Sequence, residues 1–351
     1  LRPHLLKGLL REQFGLDRMK PRILLTGPIQ EKGYKLISRY CDVEGDIHQP
    51  LERADVLRMS RDKDGLMLAS HIKIDAEFLD ATPNLKIIST VSVGFDHIDV
   101  DEATKRGVYV CNTPGVLTDC VAEVTWSLIL STYKRMSEAE RFVRSRKWTR
   151  AFYATEFLGR DLRGKVLGIV GLGRIGIRVA EIAKAFGMKV AYNDIIRQKN
   201  AEKLGIKYFS LEKLMATSDV ISIHTPLRKD TYHLIDGSKI ALMKKDAIIV
   251  NTARGPIVDE KALTKALKEN RIAGAGLDVF EIEPLPLDSE LFQLENVVLS
   301  PHRGSASYET RDAMAELAAR NMIAVLKGRM PPALVNPEVL KVKPLKSMKL
   351  L

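Results

Sequence analysis

The chain has 351 residues, 45% hydrophobic and 28% charged, with a formal net charge of +11. That length exceeds what one core usually holds, so two domains are expected, and with no run of about 20 apolar residues a spanning helix is excluded and no membrane partner is expected. The charge does not point to nucleic acid, because residues 1–18 carry +2, residues 338–351 carry +3, and the remaining +6 is spread without a Lys/Arg stripe interleaved with aromatics.

Residues 1–18 hold Arg2, Lys7, Arg11 and Arg18 but lack the apolar block and small-residue cleavage site of a secretory signal, so they read as an extension ahead of Met19. From Met19 short runs rich in Ile, Leu and Val alternate with amphipathic stretches: PRILLTG, DGLMLAS, LKIISTVSVG and GVYVCNTPG. Turn residues close each run, the pattern of parallel strands joined by helices. DCVAEVTWSLILSTYKRM follows with apolar residues at helical spacing and is expected to be an interdomain helix. A second series, KVLGIVGLGRIG, KVAYND, DVISIHTPL, AIIVNTARG, IAGAGLDV and NVVLSPH, repeats the alternation. The fold class is therefore α/β, with doubly wound parallel sheets. ASYETRDAMAELAARNMIAVLKG then reads as a long amphipathic helix ended at Gly328, and a basic tail from residue 338 as a loose end. Cys41, Cys111 and Cys120 show neither CxxC pairing nor the density of a disulfide scaffold, so no metal site and a reducing cytoplasm are expected.

In a doubly wound sheet ligands bind at the carboxyl ends of the strands, which directs attention to the residues closing each run. After VLGIV come Gly171, Leu172, Gly173, Arg174, Ile175 and Gly176, a GLGRIG turn that opens a helix. Gly171 permits the tight turn, Gly173 lets the backbone approach a pyrophosphate, and Gly176 allows close helix packing. Asp194 ends the next run 18 residues after Gly176, where a carboxylate accepts hydrogen bonds from the adenosine ribose. It favours NAD, since a 2′-phosphate would be repelled, while Arg197 leaves room for NADP. The remaining strand ends bring Thr225 and Pro226, Thr252, Ala253 and Arg254, Asp278, and His302 and Gly304 as further candidates.

Hydride transfer to an α-keto acid needs a cation for the carboxylate and carbonyl, a proton donor, and a group that holds the donor. Arg254 in NTARG has the planar fork for a bidentate carboxylate pair. His302, between Pro301 and Arg303 in SPHRG, is the candidate proton donor, and Glu283 in LDVFEIEP could hold its imidazole and keep it protonated near neutrality.

Taken together, SVGFDHID, NTPGVLTD, GLGRIG, HTPL, NTARG, GAGLDVFEIEPLP and SPHRGSAS resemble the D-2-hydroxyacid dehydrogenases, most nearly the glyoxylate/hydroxypyruvate reductase branch. The resemblance runs from Met19 to Pro337 and implies two Rossmann-like domains with the substrate domain discontinuous in sequence. It implies boundaries of 19–117 plus 305–337 for the substrate domain and 118–304 for the dinucleotide-binding domain, with 338–351 as tail. Arg254, Glu283 and His302 are implied as catalytic, Asp278 and the backbone around Ala253 as nicotinamide contacts, and the amides of Val93 and Gly94 as receptors of the substrate carboxylate. A homodimer built on the cofactor domains is also implied. Arg303 departs from the family, where an aliphatic residue usually follows the histidine.

Phosphoglycerate dehydrogenases resemble the chain as well, but they usually place an Arg where this chain has Ala69, flanked by Leu68 and Ser70. Their regulatory domain is not expected either, because little sequence follows the last helix. A small unphosphorylated keto acid, glyoxylate or hydroxypyruvate, is the expected substrate, with NADH preferred over NADPH. A nucleotide-sensing corepressor of the same fold is the alternative from a different class.

Overall fold

Five short strands form the first sheet of the computed structural model, which describes residues 20–69, 72–151 and 155–351. They are β1 (Arg22–Leu25), β2 (Asp42–Glu44), β3 (Gly65–Leu68), β4 (Ile87–Thr90) and β5 (Tyr109–Cys111). All pair in parallel in the order β2-β1-β3-β4-β5, with Ile23 opposite Gly65 and Gly65 opposite Ile87. Every residue of β3 and β4 is buried, which explains why neither carries a charged residue or an alternating pattern: helices cover both faces.

One of those covers is the helix Tyr308–Leu326, so the sheet is completed from distant sequence. Its Ala315 lies so close to Gly33 of the helix Glu31–Ser38 that a Cβ on Gly33 would come within 2.6 Å of the Ala315 backbone. Asn321 is fully buried in the same helix, yet its amide donates to the Asn112 carbonyl at 2.9 Å and accepts from the Ala333 N–H at 3.0 Å.

The stretch from residue 338 is not the loose end expected. Val339 and Met348 are fully buried, Tyr109 Oη donates to the Lys343 carbonyl, and the Leu350 N–H donates to Leu326 at 2.8 Å. The lysines that made this stretch look like a tail alternate with apolar residues that complete the core beneath them. The extension 1–18 lies outside the described residues.

The second sheet has seven parallel strands: β6 (Val166–Val170), β7 (Lys189–Asn193), β8 (Lys207–Tyr208), β9 (Val220–Ile223), β10 (Ile248–Asn251), β11 (Gly274–Leu277) and β12 (Val297–Leu299). Their order is β12-β11-β10-β9-β6-β7-β8. The chain thus winds away from β6 through β7 and β8, returns to β9 on its other side, and opens a crevice where β6 and β9 end.

Helix Thr118–Tyr133, expected between domains, lies on β10 and β11 of this sheet. Glycines let it settle there: a Cβ at Gly274 would sit 2.9 Å from Thr132 Cγ2, and one at Gly276 would sit 3.0 Å from Leu128 Cβ. The fold divides into two compact units, the larger being Leu117–Ala306 and the smaller the described residues before Leu117 together with Ser307–Leu351. Among the described residues no helix is long and apolar enough to cross a membrane.

Candidate active site

The crevice of the larger unit begins at the turn after β6. Gly171 has φ +90°, and a Cβ there would strike the backbone of His224 and Thr225 at 2.8 Å. At Gly176 a Cβ would meet the Gly171 carbonyl at 2.4 Å, so the helix Arg174–Ala185 starts pressed against the strand end. Gly173 differs from both: it is exposed, a Cβ would meet nothing within 4 Å, and it caps the 12-residue helix with no side chain across the first N–H groups. The helix dipole and those amides therefore face open space of the kind a phosphate occupies. Leu172 is buried, Arg174 is exposed and Ile175 is half-buried on the first turn.

Asp194 is tied directly to this turn. Its Oδ2 accepts the Leu172 N–H at 2.8 Å and its Oδ1 the Ile196 N–H at 3.2 Å. The glycine face, helix start and anchored carboxylate fit a dinucleotide, with Gly173 toward the pyrophosphate and Asp194 toward a ribose. Thr225 and Pro226 follow β9 beside Gly171, where Thr231 Oγ1 donates to the Pro226 carbonyl at 2.7 Å.

Two histidines close strands here, and they differ chemically. His224 has its Nε2 2.8 Å from Ser222 Oγ, and removal of water from the ring pushes its pKa down to about 3, leaving it neutral at pH 7. Between that value and the ordinary histidine value of 6.5 the unfolded chain binds a proton that the folded chain refuses. Stability is therefore expected to rise with pH across this window, and to be lost as pH falls from 6.5 toward 3. Denaturant midpoints of wild type and His224→Gln should diverge over that range, the wild type losing more; parallel curves would refute the assignment.

His302 sits on a differently built loop. Its φ is +48°, an uncommon conformation for a residue with a side chain, and its N–H donates to the Asp278 carbonyl at 2.9 Å. The Asp278 carboxylate holds the rest of the loop: Oδ1 accepts from Ser300 Oγ at 2.6 Å and the Arg303 N–H at 2.8 Å, and Oδ2 from the Gly304 N–H at 2.7 Å. Asp278 is buried, and both its oxygens are engaged with the histidine loop. His302 Nδ1 then meets Glu283 Oε2 at 2.6 Å, while Glu283 Oε1 accepts the Phe280 N–H at 3.0 Å. Each member of the pair keeps about a third of its side chain exposed, at 31% and 32%. The pair thus stays reachable by a small molecule.

Arg254 follows β10 on a turn clamped by Asn251, whose Oδ1 accepts the Ala253 N–H at 3.0 Å and whose Nδ2 donates to the Arg254 carbonyl at 2.8 Å. The guanidinium donates through Nη1 to the Ala253 carbonyl at 2.8 Å. Thr252 Oγ1 lies 2.9 Å from Thr125 Oγ1. In the smaller unit, the loop after β4 has Asn112 Nδ2 donating to the Val93 carbonyl at 2.8 Å and Ser92 Oγ donating to the Gly94 carbonyl at 2.6 Å.

Several organising residues escaped the sequence reading. Asn251 could have been suspected as an Asx turn at a strand end. Gly255 could not, since only coordinates reveal that a Cβ there would fall 1.9 Å from the Phe280 backbone, bringing the Arg254 and Glu283 loops into contact. His233, also at positive φ, pairs its Nε2 with Glu281 Oε1 at 2.7 Å. Glu281 and Glu260 exchange backbone-to-carboxylate bonds at 3.0 Å each, and burial pushes the Glu260 carboxyl up. This second histidine–carboxylate pair fixes the loop two residues before Glu283. The three cysteines are free and buried, and burial pushes the Cys41 thiol up to about 12, so it is no nucleophile at neutral pH. Among the described residues no group of three or more His, Cys, Asp and Glu side chains is placed to hold a metal ion.

Residues 126–304 match the model of the D-isomer specific 2-hydroxyacid dehydrogenase NAD binding domain. A glyoxylate reductase of Thermofilum pendens is 52% identical over 338 residues, covering 95% of this chain and 99% of that protein. One of Korarchaeum cryptofilum is 49% identical over 93% of this chain and 99% of its own. Among solved structures, an NADPH-dependent glyoxylate/hydroxypyruvate reductase from Sinorhizobium meliloti, in complex with NADP and malonate, superimposes with a TM-score of 0.81. It is 34% identical and covers 91% of this chain and 98% of its own. With the winding of the larger unit, its glycine turn and the histidine–glutamate pair, these likenesses place the chain in the D-isomer specific 2-hydroxyacid dehydrogenase family.

Proposed function

We propose that the protein reduces a small unphosphorylated 2-keto acid, glyoxylate or hydroxypyruvate, to the D-2-hydroxy acid, with NADH preferred over NADPH. The observation that carries this reading is the His302–Glu283 pair, joined at 2.6 Å and held by the Asp278-bound loop. The bound nicotinamide cofactor supplies the hydride. Because Nδ1 is turned to Glu283, Nε2 is the ring nitrogen that exchanges a proton with the substrate oxygen. Glu283 stabilises the imidazolium, and Arg254 binds the substrate carboxylate and polarises the carbonyl. The amides of Val93 and Gly94 serve the same carboxylate, and Thr225, Pro226, Thr252, Ala253, Asp278 and Gly304 border the cofactor. Glyoxylate reductases at 46% to 52% identity support the substrate class. Ala69, with no charge to offer a phosphate, supports an unphosphorylated one.

Leu117–Ala306 serves as the dinucleotide-binding domain, and the smaller unit, which runs on to Leu351, as the substrate domain. Exposed Met136, Val143, Trp148 and Leu158 on the larger unit support a homodimer through that unit, and the three free cysteines a reducing cytoplasm. A panel of keto acids assayed with NADH and NADPH tests the function. Tight NADH binding without turnover of any of them would replace the enzyme by a nucleotide-sensing binding protein. For the cofactor, Asp194→Ser is expected to narrow the preference for NADH, measured as the ratio of kcat/KM values. A wild type that already uses NADPH better would overturn the role given to Asp194.

A further inference from the structure

Asp194 is not the only charged residue on the loop that follows β7. Arg197 stands three residues on, and a guanidinium there is the group that would welcome a 2′-phosphate. The structure shows it engaged elsewhere. Its Nε donates to Glu202 Oε1 at 3.1 Å and its Nη2 to Glu202 Oε2 at 2.7 Å, a fork-to-carboxylate pair. The guanidinium also lies over the Tyr208 ring, 5.0 Å from the centroid. Glu202 is held in turn by Tyr192, whose hydroxyl donates to Oε1 at 3.0 Å and accepts the Gln198 N–H at 2.6 Å. Tyr192 packs edge-on against Tyr208 at 5.4 Å, which closes the cluster.

We propose that Glu202 is a specificity-determining residue, which discriminates against NADPH by holding Arg197 in this pair and so withholding from the 2′-phosphate the cation placed nearest to Asp194 in sequence. Discrimination is then shared between repulsion by Asp194 and sequestration by Glu202. The inference rests on the reading of the glycine turn and Asp194 as the adenosine site, and it adds a residue that never touches the cofactor. The neighbourhood supports it electrostatically: hydrogen bonding to Arg197 holds the Glu202 carboxyl below its ordinary range, so the sequestering charge is present at neutral pH. An exposed pair is weak enough for a single substitution to release the arginine.

Calorimetric titration with 2′,5′-ADP and with ADP tests the proposal without turnover. Glu202→Gln keeps an acceptor for Tyr192 and loses the charge that holds Arg197. It should bind 2′,5′-ADP about threefold to fivefold tighter than wild type, with ADP affinity unchanged. In the double variant Glu202→Gln, Arg197→Gln that gain should vanish. Equal 2′,5′-ADP affinity in wild type and Glu202→Gln would overturn the proposal. So would a gain that survives in the double variant, because the effect would then be loss of negative charge rather than release of Arg197. Failure of ADP itself to bind the wild type would instead overturn the underlying assignment of the adenosine site. Matching far-ultraviolet circular dichroism and melting temperatures across the variants establish that the comparison is between folded proteins.

Discussion

His302→Ala is expected to slow keto-acid reduction by a factor on the order of 10² to 10⁴ while NADH binding stays near wild type. The loss follows from removing the ring whose Nδ1 is fixed 2.6 Å from Glu283, and with it the proton for the keto oxygen. Binding survives because the glycine turn and Asp194 belong to other strand ends. His302→Asn should be as impaired as His302→Ala. Asn tolerates a φ of +48° better than Ala, so equal losses would show that the proton donor is missing rather than the loop shape. In the wild type the two directions of reaction should respond oppositely to pH. Reduction takes a proton from the ring and slows as pH rises; oxidation returns one to it and quickens. Wild-type kcat and an unchanged pH profile in His302→Ala would return His302 to the status of a packing residue.

Arg254→Lys should lower kcat/KM more than about tenfold, equivalent to roughly 1.4 kcal/mol, at nearly constant NADH affinity. The reason lies in how the guanidinium is held. One arm donates to the Ala253 carbonyl at 2.8 Å, and the Asn251 side chain clamps the turn on both sides of Arg254. A planar fork can keep that anchor and still present donors to a carboxylate, whereas an ammonium on a flexible stem exchanges one task for the other. Steady-state kinetics with glyoxylate alongside NADH titrations separate the two effects. An unaltered kcat/KM would remove Arg254 from the site.

Much of this was legible before coordinates because it depends on local chemistry. Apolar runs closed by glycine and proline read as buried parallel strands, and GLGRIG between a strand and a helix has few other physical uses. What remained hidden depends on long-range proximity. The role of Asp278 in wrapping the 300–304 loop requires knowing that β11 and β12 are neighbours. The contact of Gly255 with Phe280 and the His233–Glu281 pair require the loops themselves. The C-terminal stretch misled for a different reason: its lysines are conspicuous, while its two buried residues, Val339 and Met348, are too sparse to announce a core.

The discontinuity of the smaller unit has a consequence for how the protein is made. Its sheet is complete once Tyr109–Cys111 has been synthesised, but the helix Tyr308–Leu326 that covers it lies beyond the whole of Leu117–Ala306. At a synthesis rate of about 5 to 20 residues per second, those strands wait on the order of 10 to 40 seconds with one apolar face covered only in part, by the helix Glu31–Ser38. During that interval the intervening segment, which carries every strand of its own sheet, emerges and is free to fold. The larger unit can therefore fold before the smaller one is completed, and a holdase that shields the first five strands would act in the period when they are most exposed to aggregation.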